Sequence, residues 1–316
     1  MTSKVSLSHA VSAVPAYVPG ARPEAGRRVF KLSSNENPFP PLPGVLSALA
    51  DAASDANRYP DMYAADLSAA LAEHLGVDPE QVAVAGGSTP LLRFILTAVC
   101  DPGDELIYAW RSFEAYPILA TLASVKSVQV PLVPETGRQD LPAMLKAVTD
   151  KTRCVFLCSP NNPTGPAMRT DEFEVFMKAL PSNILVVVDE AYLDFVTDPE
   201  AAKAFNYLDK YPNLLVARTF SKAYGLAGLR VGYAVGRSRL CAAIKSAATP
   251  FGINAPAQLA AMAALRDSDT VAARVATIVE RRDRFVAALR QQGWQVPDTQ
   301  ANFVWLPLGQ DTVPFT

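Results

Sequence analysis

Short apolar runs alternate with amphipathic stretches between residues 82 and 236, and that alternation predicts the architecture. Strand-like runs occupy 82–85, 105–109, 127–131, 153–159, 183–189, 214–218 and 232–235. Helical spacing of apolar positions separates several of them, as at 91–99 and 171–180. Strands that alternate with helices build a largely parallel sheet with helices on both faces. Ile184-Leu185-Val186-Val187-Val188 has no polar alternation, as expected of a strand covered on both sides. The expected fold class is therefore α/β, with a mostly parallel seven-stranded sheet in a large domain and a smaller α+β domain beside it.

Before residue 49 the chain is rich in proline and glycine and reads as an irregular arm. After Pro250 come a helical stretch, 255–289, and a strand-like run, 301–306, a pattern that suits a second, smaller domain. The expected division is 1–48 as an N-terminal arm and part of the small domain, 49–250 as the large domain, and 251–316 as the small domain. An apolar strand close to a terminus leaves an exposed edge. The pattern thus predicts a chain that continues beyond Thr316; the other reading pairs 301–306 with earlier residues of the small domain.

Composition narrows the chemistry. The 316 residues, half of them hydrophobic, can bury a large core, and a net charge of −2 gives no nucleic-acid or membrane-surface footprint. There is no apolar leader and no membrane-length apolar run, so the expectation is a cytoplasmic enzyme without membrane or nucleic-acid partners. Cys100, Cys154, Cys158 and Cys241 lack metal or redox spacing. With two histidines, His9 and His74, both read as structural, a histidine-rich metal site is out of reach and a Ser-His-Asp triad has little support. Catalysis then falls to Lys, Asp, Tyr and Arg, or to a bound cofactor.

Candidate residues sit where strands end, which is where open α/β sheets hold ligands. Lys222 follows the 214–218 run within Arg-Thr-Phe-Ser-Lys-Ala-Tyr-Gly. On that segment alone it reads as a surface lysine; desolvated and near another cation such as Arg230, its amine can attack a carbonyl. Gly86-Gly87-Ser88-Thr89-Pro90 opens a helix, with Ser88 or Thr89 as cap, and serves equally as an ordinary helix start or an anion site. Asp189 ends a covered strand and needs a cationic partner, either a protonated pyridine nitrogen or an arginine such as Arg218. Tyr192 follows three positions on. Asn162, in the proline-restricted turn Ser159-Pro160-Asn161-Asn162-Pro163-Thr164-Gly165, either donates to a ligand oxygen or closes an Asx turn. Phe113 is either a stacking ring or plain core.

Taken together these pieces resemble the fold-type I aminotransferases that depend on pyridoxal 5′-phosphate (PLP), and within them the histidinol-phosphate aminotransferase-like branch. The carriers are Ser34-Asn35-Glu36-Asn37-Pro38, Asn57-Arg58-Tyr59-Pro60-Asp61, Gly86-Gly87-Ser88-Thr89, the 159–165 turn, Asp189-Glu190-Ala191-Tyr192, and Ser221-Lys222 with Arg230. The resemblance implies that Lys222 is the catalytic lysine holding PLP as a Schiff base. It implies that Asp189 partners the pyridine nitrogen, that Asn162 and Tyr192 donate to the ring oxygen, and that Phe113 stacks on the ring. Gly87, Ser88, Thr89, Ser221 and Arg230 match the phosphate cup. Tyr59 resembles the tyrosine that reaches the partner subunit's phosphate in a homodimer, and Tyr17 and Asn35 look like substrate-pocket residues.

The implied reaction is transamination of an aromatic L-amino acid with 2-oxoglutarate, because the segment 110–117, Trp-Arg-Ser-Phe-Glu-Ala-Tyr-Pro, looks more like the aromatic members. Histidinol phosphate is the alternative substrate, with Arg111 as either its phosphate ligand or a surface residue. The family's carboxylate-binding arginine has no match, since no arginine follows Phe303. A PLP-dependent lyase or decarboxylase could use the same Schiff base. A PLP-sensing transcription regulator would carry a basic helix-turn-helix ahead of this fold, and residues 1–30 have no room for one.

Overall fold

A computed structural model describes residues 5–14 and 32–312. All seven expected strands form: β1 (Val82–Ala85), β2 (Glu105–Trp110), β3 (Lys126–Pro131), β4 (Thr152–Cys158), β5 (Leu185–Asp189), β6 (Leu214–Thr219) and β7 (Gly232–Gly236). They make one sheet in the order β1-β7-β6-β5-β4-β2-β3. The pairs β2–β3, β2–β4, β4–β5 and β5–β6 are parallel, whereas β7 runs antiparallel to both β1 and β6. Reversing only β7 leaves the other six strands pointing one way, so their C-terminal ends open on one edge.

The helices are α1 (His9–Ala13), α2 (Pro43–Ala53), α3 (Ala65–Leu75), α4 (Ser88–Val99), α5 (Ala115–Leu122), α6 (Leu141–Lys146), α7 (Thr170–Ala179), α8 (Ser238–Ala247), α9 (Ala255–Arg266) and α10 (Ser268–Gln291). Successive strand residues turn to opposite faces, and both sets are buried. Ile107, Val155, Val186, Val188 and Val216 pack with α2, α3, α6, α7 and α9. Tyr108, Phe156, Val187, Leu215 and Ala217 pack with α4, α5 and α8 on the other side. Continuous apolar strands follow from this two-sided cover.

Two expectations are corrected and one, the helical stretch, is refined. The proline-rich arm is not irregular throughout: Pro43 lies at the first turn of α2, where its fixed φ and missing N–H suit a helix start. The 255–289 stretch is two helices, broken at Asp267. The 301–306 run is not a strand. Side chains rather than a backbone ladder tie down this segment and the residues before it. Thr299 Oγ1 donates to the Phe303 carbonyl, and Asn302 Nδ2 donates to the Asn35 carbonyl. Val304 and Leu306 pack against Val286, Leu289 and Val296.

Close approach matters most where β7 crosses the turn after β1. A Cβ on Gly232 would lie 2.6 Å from the Ser88 amide nitrogen and 2.8 Å from the Gly87 carbonyl carbon. Replacing Gly232 with Ala should cost about 1–3 kcal/mol of stability, as overpacking does. Urea unfolding of the two proteins checks this, and an unchanged midpoint would contradict it.

Candidate active site

The turns that follow β1, β2, β4, β5 and β6 open on the same edge of the sheet, bringing the candidate residues together. Asp189, the last residue of β5, is 3% exposed. Its Oδ2 accepts a 2.9 Å hydrogen bond from the Tyr116 hydroxyl, while its Oδ1 is buried with no hydrogen-bond partner. Burial is the main cause lifting this carboxyl to about 6, against the downward pull of Tyr116 and of the Ala191 N–H. The suggested alternative partner is committed elsewhere: Arg218 binds Glu190 at 2.8 and 2.9 Å. Asp189 therefore keeps one acceptor open in a place where an open acceptor is costly.

Lys222 is half-buried in the turn after β6. Its Nζ donates to the Ser34 carbonyl at 2.9 Å and the Asn35 carbonyl at 3.4 Å, and lies 5.5 Å from the centre of the Tyr192 ring. Desolvation brings its amine down to about 8, helped by the charge of Arg230 and opposed by Glu36 and Asp189. A lysine so placed supplies a useful fraction of neutral amine near neutral pH. The surface-lysine reading fails.

Tyr192 is buried, and two amides converge on its hydroxyl: Asn35 Nδ2 at 3.2 Å and Asn162 Nδ2 at 3.5 Å. Asn162 thus faces the site. The neighbouring Asn161 does the local work, donating to Thr164 Oγ1 and the Arg111 carbonyl. Phe113 is half-buried and meets Tyr116 edge-on, with ring centres 5.6 Å apart. Arg111 is exposed, lies over the Trp110 ring and sits 3.9 Å from Glu114, which makes it a surface residue.

The turn after β1 works differently from the expectation. Neither Ser88 nor Thr89 caps α4. Gly87, at φ +103°, is itself the cap, and no side chain makes a capping bond. Gly87 is bare because Arg230 lies across it: a Cβ there would fall 2.3 Å from Arg230 Nη2 and 2.9 Å from its Cζ. Arg230 adopts φ +61°, an uncommon conformation for a non-glycine residue, and its Nη1 donates to Ser221 Oγ at 3.1 Å. Among the described residues this guanidinium has no carboxylate partner. An unpaired cation, a helix N-terminus and two hydroxyl side chains in the helix's first turn make an anion site.

Tyr59 is 83% exposed, its ring tilted against that of Phe251 with centres 4.8 Å apart. Tyr17 lies outside the described residues. Two residues escaped the sequence reading. Asn37 donates from Nδ2 to the Lys222 and Ala223 carbonyls, fixing the lysine turn to the N-terminal arm. Tyr116 holds Asp189; its only signal was its place three residues after Phe113. No group of His, Cys, Asp and Glu able to hold a metal occurs among the described residues.

The strand ends and the arm that crosses them therefore offer an open buried acceptor, a partly neutral amine, two amides around a tyrosine hydroxyl, an aromatic ring and groups suited to an anion. That set suits a flat, phosphorylated heterocycle with a protonated ring nitrogen and an aldehyde. A profile for the class I and II aminotransferases matches residues 27–313. The chain belongs to that family. It is 51% identical over 303 residues to the aromatic amino acid aminotransferase of Streptomyces avermitilis, covering 96% of this chain and 84% of that one. It is 50% identical over 312 residues to the protein of the same name from Thermobifida fusca, covering 98% and 86%. Histidinol-phosphate aminotransferase from Sinorhizobium meliloti, solved in complex with pyridoxal 5′-phosphate, superposes with a TM-score of 0.81 at 33% identity, covering 88% of this chain and 75% of that one. The transferase fold and the class of enzyme expected from the sequence are those observed.

The Asp189 carboxyl makes a prediction about this aminotransferase without cofactor. Its folded value of about 6 lies above the unfolded 3.8, so the folded state holds the proton more tightly. The resulting stability is complete below pH 4 and disappears as pH rises through 6. Asp189→Asn should accordingly gain on the native apo protein between pH 4.5 and 7, by about 3 kcal/mol at most given about 1.4 kcal/mol per unit. Denaturant unfolding across that range reads the difference; a pH-independent difference would refute the buried-charge account.

Proposed function

We propose that this chain is a PLP-dependent transaminase that passes the amino group of an aromatic L-amino acid (Phe, Tyr or Trp) to 2-oxoglutarate, giving the aromatic 2-oxo acid and L-glutamate. The carrying observation is the buried, unpartnered Asp189 Oδ1, close enough to the Lys222 amine for its charge to act on it. An orphaned carboxylate oxygen at the end of a covered strand fits a pyridinium N–H and little else. The aromatic substrate class rests on relatives of 46–51% identity that carry that name.

When bound, PLP supplies an aldehyde that condenses with amines and a cationic ring that takes up the electron pair released at the substrate Cα. The protein's residues do the rest. Asp189 Oδ1 holds the proton on the ring nitrogen. Lys222 Nζ, kept partly neutral by its surroundings, would be the amine that holds the cofactor and, once released from it, the base that moves the proton at the substrate Cα. Arg230, Ser221, Ser88 and Thr89 would hold the phosphate, with Gly87 leaving room for the guanidinium. Tyr192 and Asn162 orient the ring through its oxygen, and Phe113 stacks on it. Asn35, clamped between Tyr192 and Asn302, would border the substrate.

The working unit we propose is a cytoplasmic homodimer in amino-acid biosynthesis, with 49–250 binding the cofactor and the flanking segments forming the arm and small domain. Tyr59, Met62, Tyr63 and Phe251 form an exposed apolar group that a second copy would cover, placing Tyr59 at the partner's phosphate site. No helix among the described residues is long and apolar enough to cross a membrane.

Lys222→Ala should abolish the visible absorbance of the lysine-bound cofactor and lower kcat by about 10,000-fold, the upper range for a lost acid–base group. A variant that kept both would remove the assignment. For substrate, kcat/KM for phenylalanine should exceed that for histidinol phosphate. The reverse order would assign the enzyme to histidinol phosphate.

A further inference from the structure

Tyr116 is a core residue carrying one polar atom that the core does not need. It is fully buried on α5, and its ring meets Tyr108, Phe113 and Phe156 edge-on at 5.6, 5.6 and 5.1 Å. Phenylalanine would make the same ring contacts. The hydroxyl alone leaves this aromatic cluster, crossing to the end of β5 to donate to Asp189 Oδ2 at 2.9 Å.

A carboxylate has two oxygens and can rotate about its Cβ–Cγ bond. With Oδ2 tied to Tyr116, rotation is restrained and Oδ1, buried and unpartnered, is the oxygen left free. We propose that Tyr116 is a positioning residue for the cofactor's ring nitrogen, acting through Asp189 by fixing which oxygen is left for the ring. The inference rests on the assignment of Asp189 to the ring nitrogen made above.

Other groups around Asp189 do not substitute for this bond. The Ala191 N–H dipole favours the charged carboxylate, Cys158 lies beside the Tyr116 hydroxyl with its thiol directed to the Pro160 carbonyl, Glu190 is paired with Arg218, and the Lys222 amine lies over the Tyr192 ring. None of the side chains in that set donates to Oδ2. Losing the tyrosine hydroxyl would leave Oδ2 unsatisfied and raise the proton affinity of Asp189, turning an ion pair with the ring into a weaker neutral contact.

The test compares dissociation constants for PLP and for its 1-deaza analogue, which has carbon in place of the ring nitrogen, in wild type, Tyr116→Phe, Asp189→Asn and the double variant. Wild type should prefer PLP, and Tyr116→Phe should reduce that preference about tenfold while leaving affinity for the deaza analogue within about twofold. The loss should be larger at pH 6.5 than at pH 8.5, and absent in the Asp189→Asn background. An unchanged preference in Tyr116→Phe, or equal weakening toward both ligands, would overturn the proposal and leave Tyr116 as packing. No preference in wild type would instead remove the Asp189 assignment on which it stands. Should Tyr116→Phe fail to fold, Tyr116→3-fluorotyrosine keeps the shape and strengthens the donor. An unaltered preference with that substitution would overturn the proposal equally.

Discussion

A carboxylate at the end of a strand buried on both faces is unstable unless something donates to it, and Asp189 has donors for only part of its charge. Aliphatic strands on either side exclude water from β5, so the carboxyl rises to about 6 although it accepts from Tyr116. That shortfall is the central physical fact of the protein. A cationic N–H placed against Oδ1 would remove most of the desolvation penalty, and the same contact would hold the ring nitrogen protonated for catalysis. The instability of the site without cofactor and the activity of the site with it have one source.

The remaining groups are arranged around that point by backbone rather than by long side chains. Six strands with a common direction deliver their C-terminal turns to one edge. The N-terminal arm then crosses these turns. Asn37 grips the Lys222 backbone, and the Ser34 and Asn35 carbonyls receive the lysine amine. Asn35 joins the arm to Tyr192 through its amide and to Asn302 through its carbonyl. Arg282, buried on α10, donates to the Phe195 and Ala301 carbonyls and so ties the segment after β5 to the segment carrying Asn302. The Lys222 amine therefore rests on carbonyls of an arm that side-chain amides tie to distant parts of the chain.

Much of this was legible in the sequence because strand ends and turns leave local signatures. The apolar run 184–188 ending in Asp, and the Ser-Lys pair after 214–218, marked the acid and the amine without any knowledge of their separation. What was not legible depended on long-range approach. Gly87 looked like a glycine freed for a ligand, whereas its missing Cβ makes room for Arg230. Run 301–306 has strand-like residues, but it is held by side-chain bonds to segments far away in sequence. Tyr116 carried no signal beyond being one aromatic in an aromatic-rich segment, since its role depends on the hydroxyl reaching a residue 73 positions away.

The most direct measurement is the nitrogen NMR shift of ring-labelled PLP bound to the wild-type protein at pH 7.5. If Asp189 Oδ1 supplies the missing contact, the ring nitrogen will resonate as a protonated pyridinium and stay so on raising the pH to 9. A neutral pyridine shift at pH 7.5 would contradict the account, because the buried carboxylate would then be stabilised by something other than the cofactor.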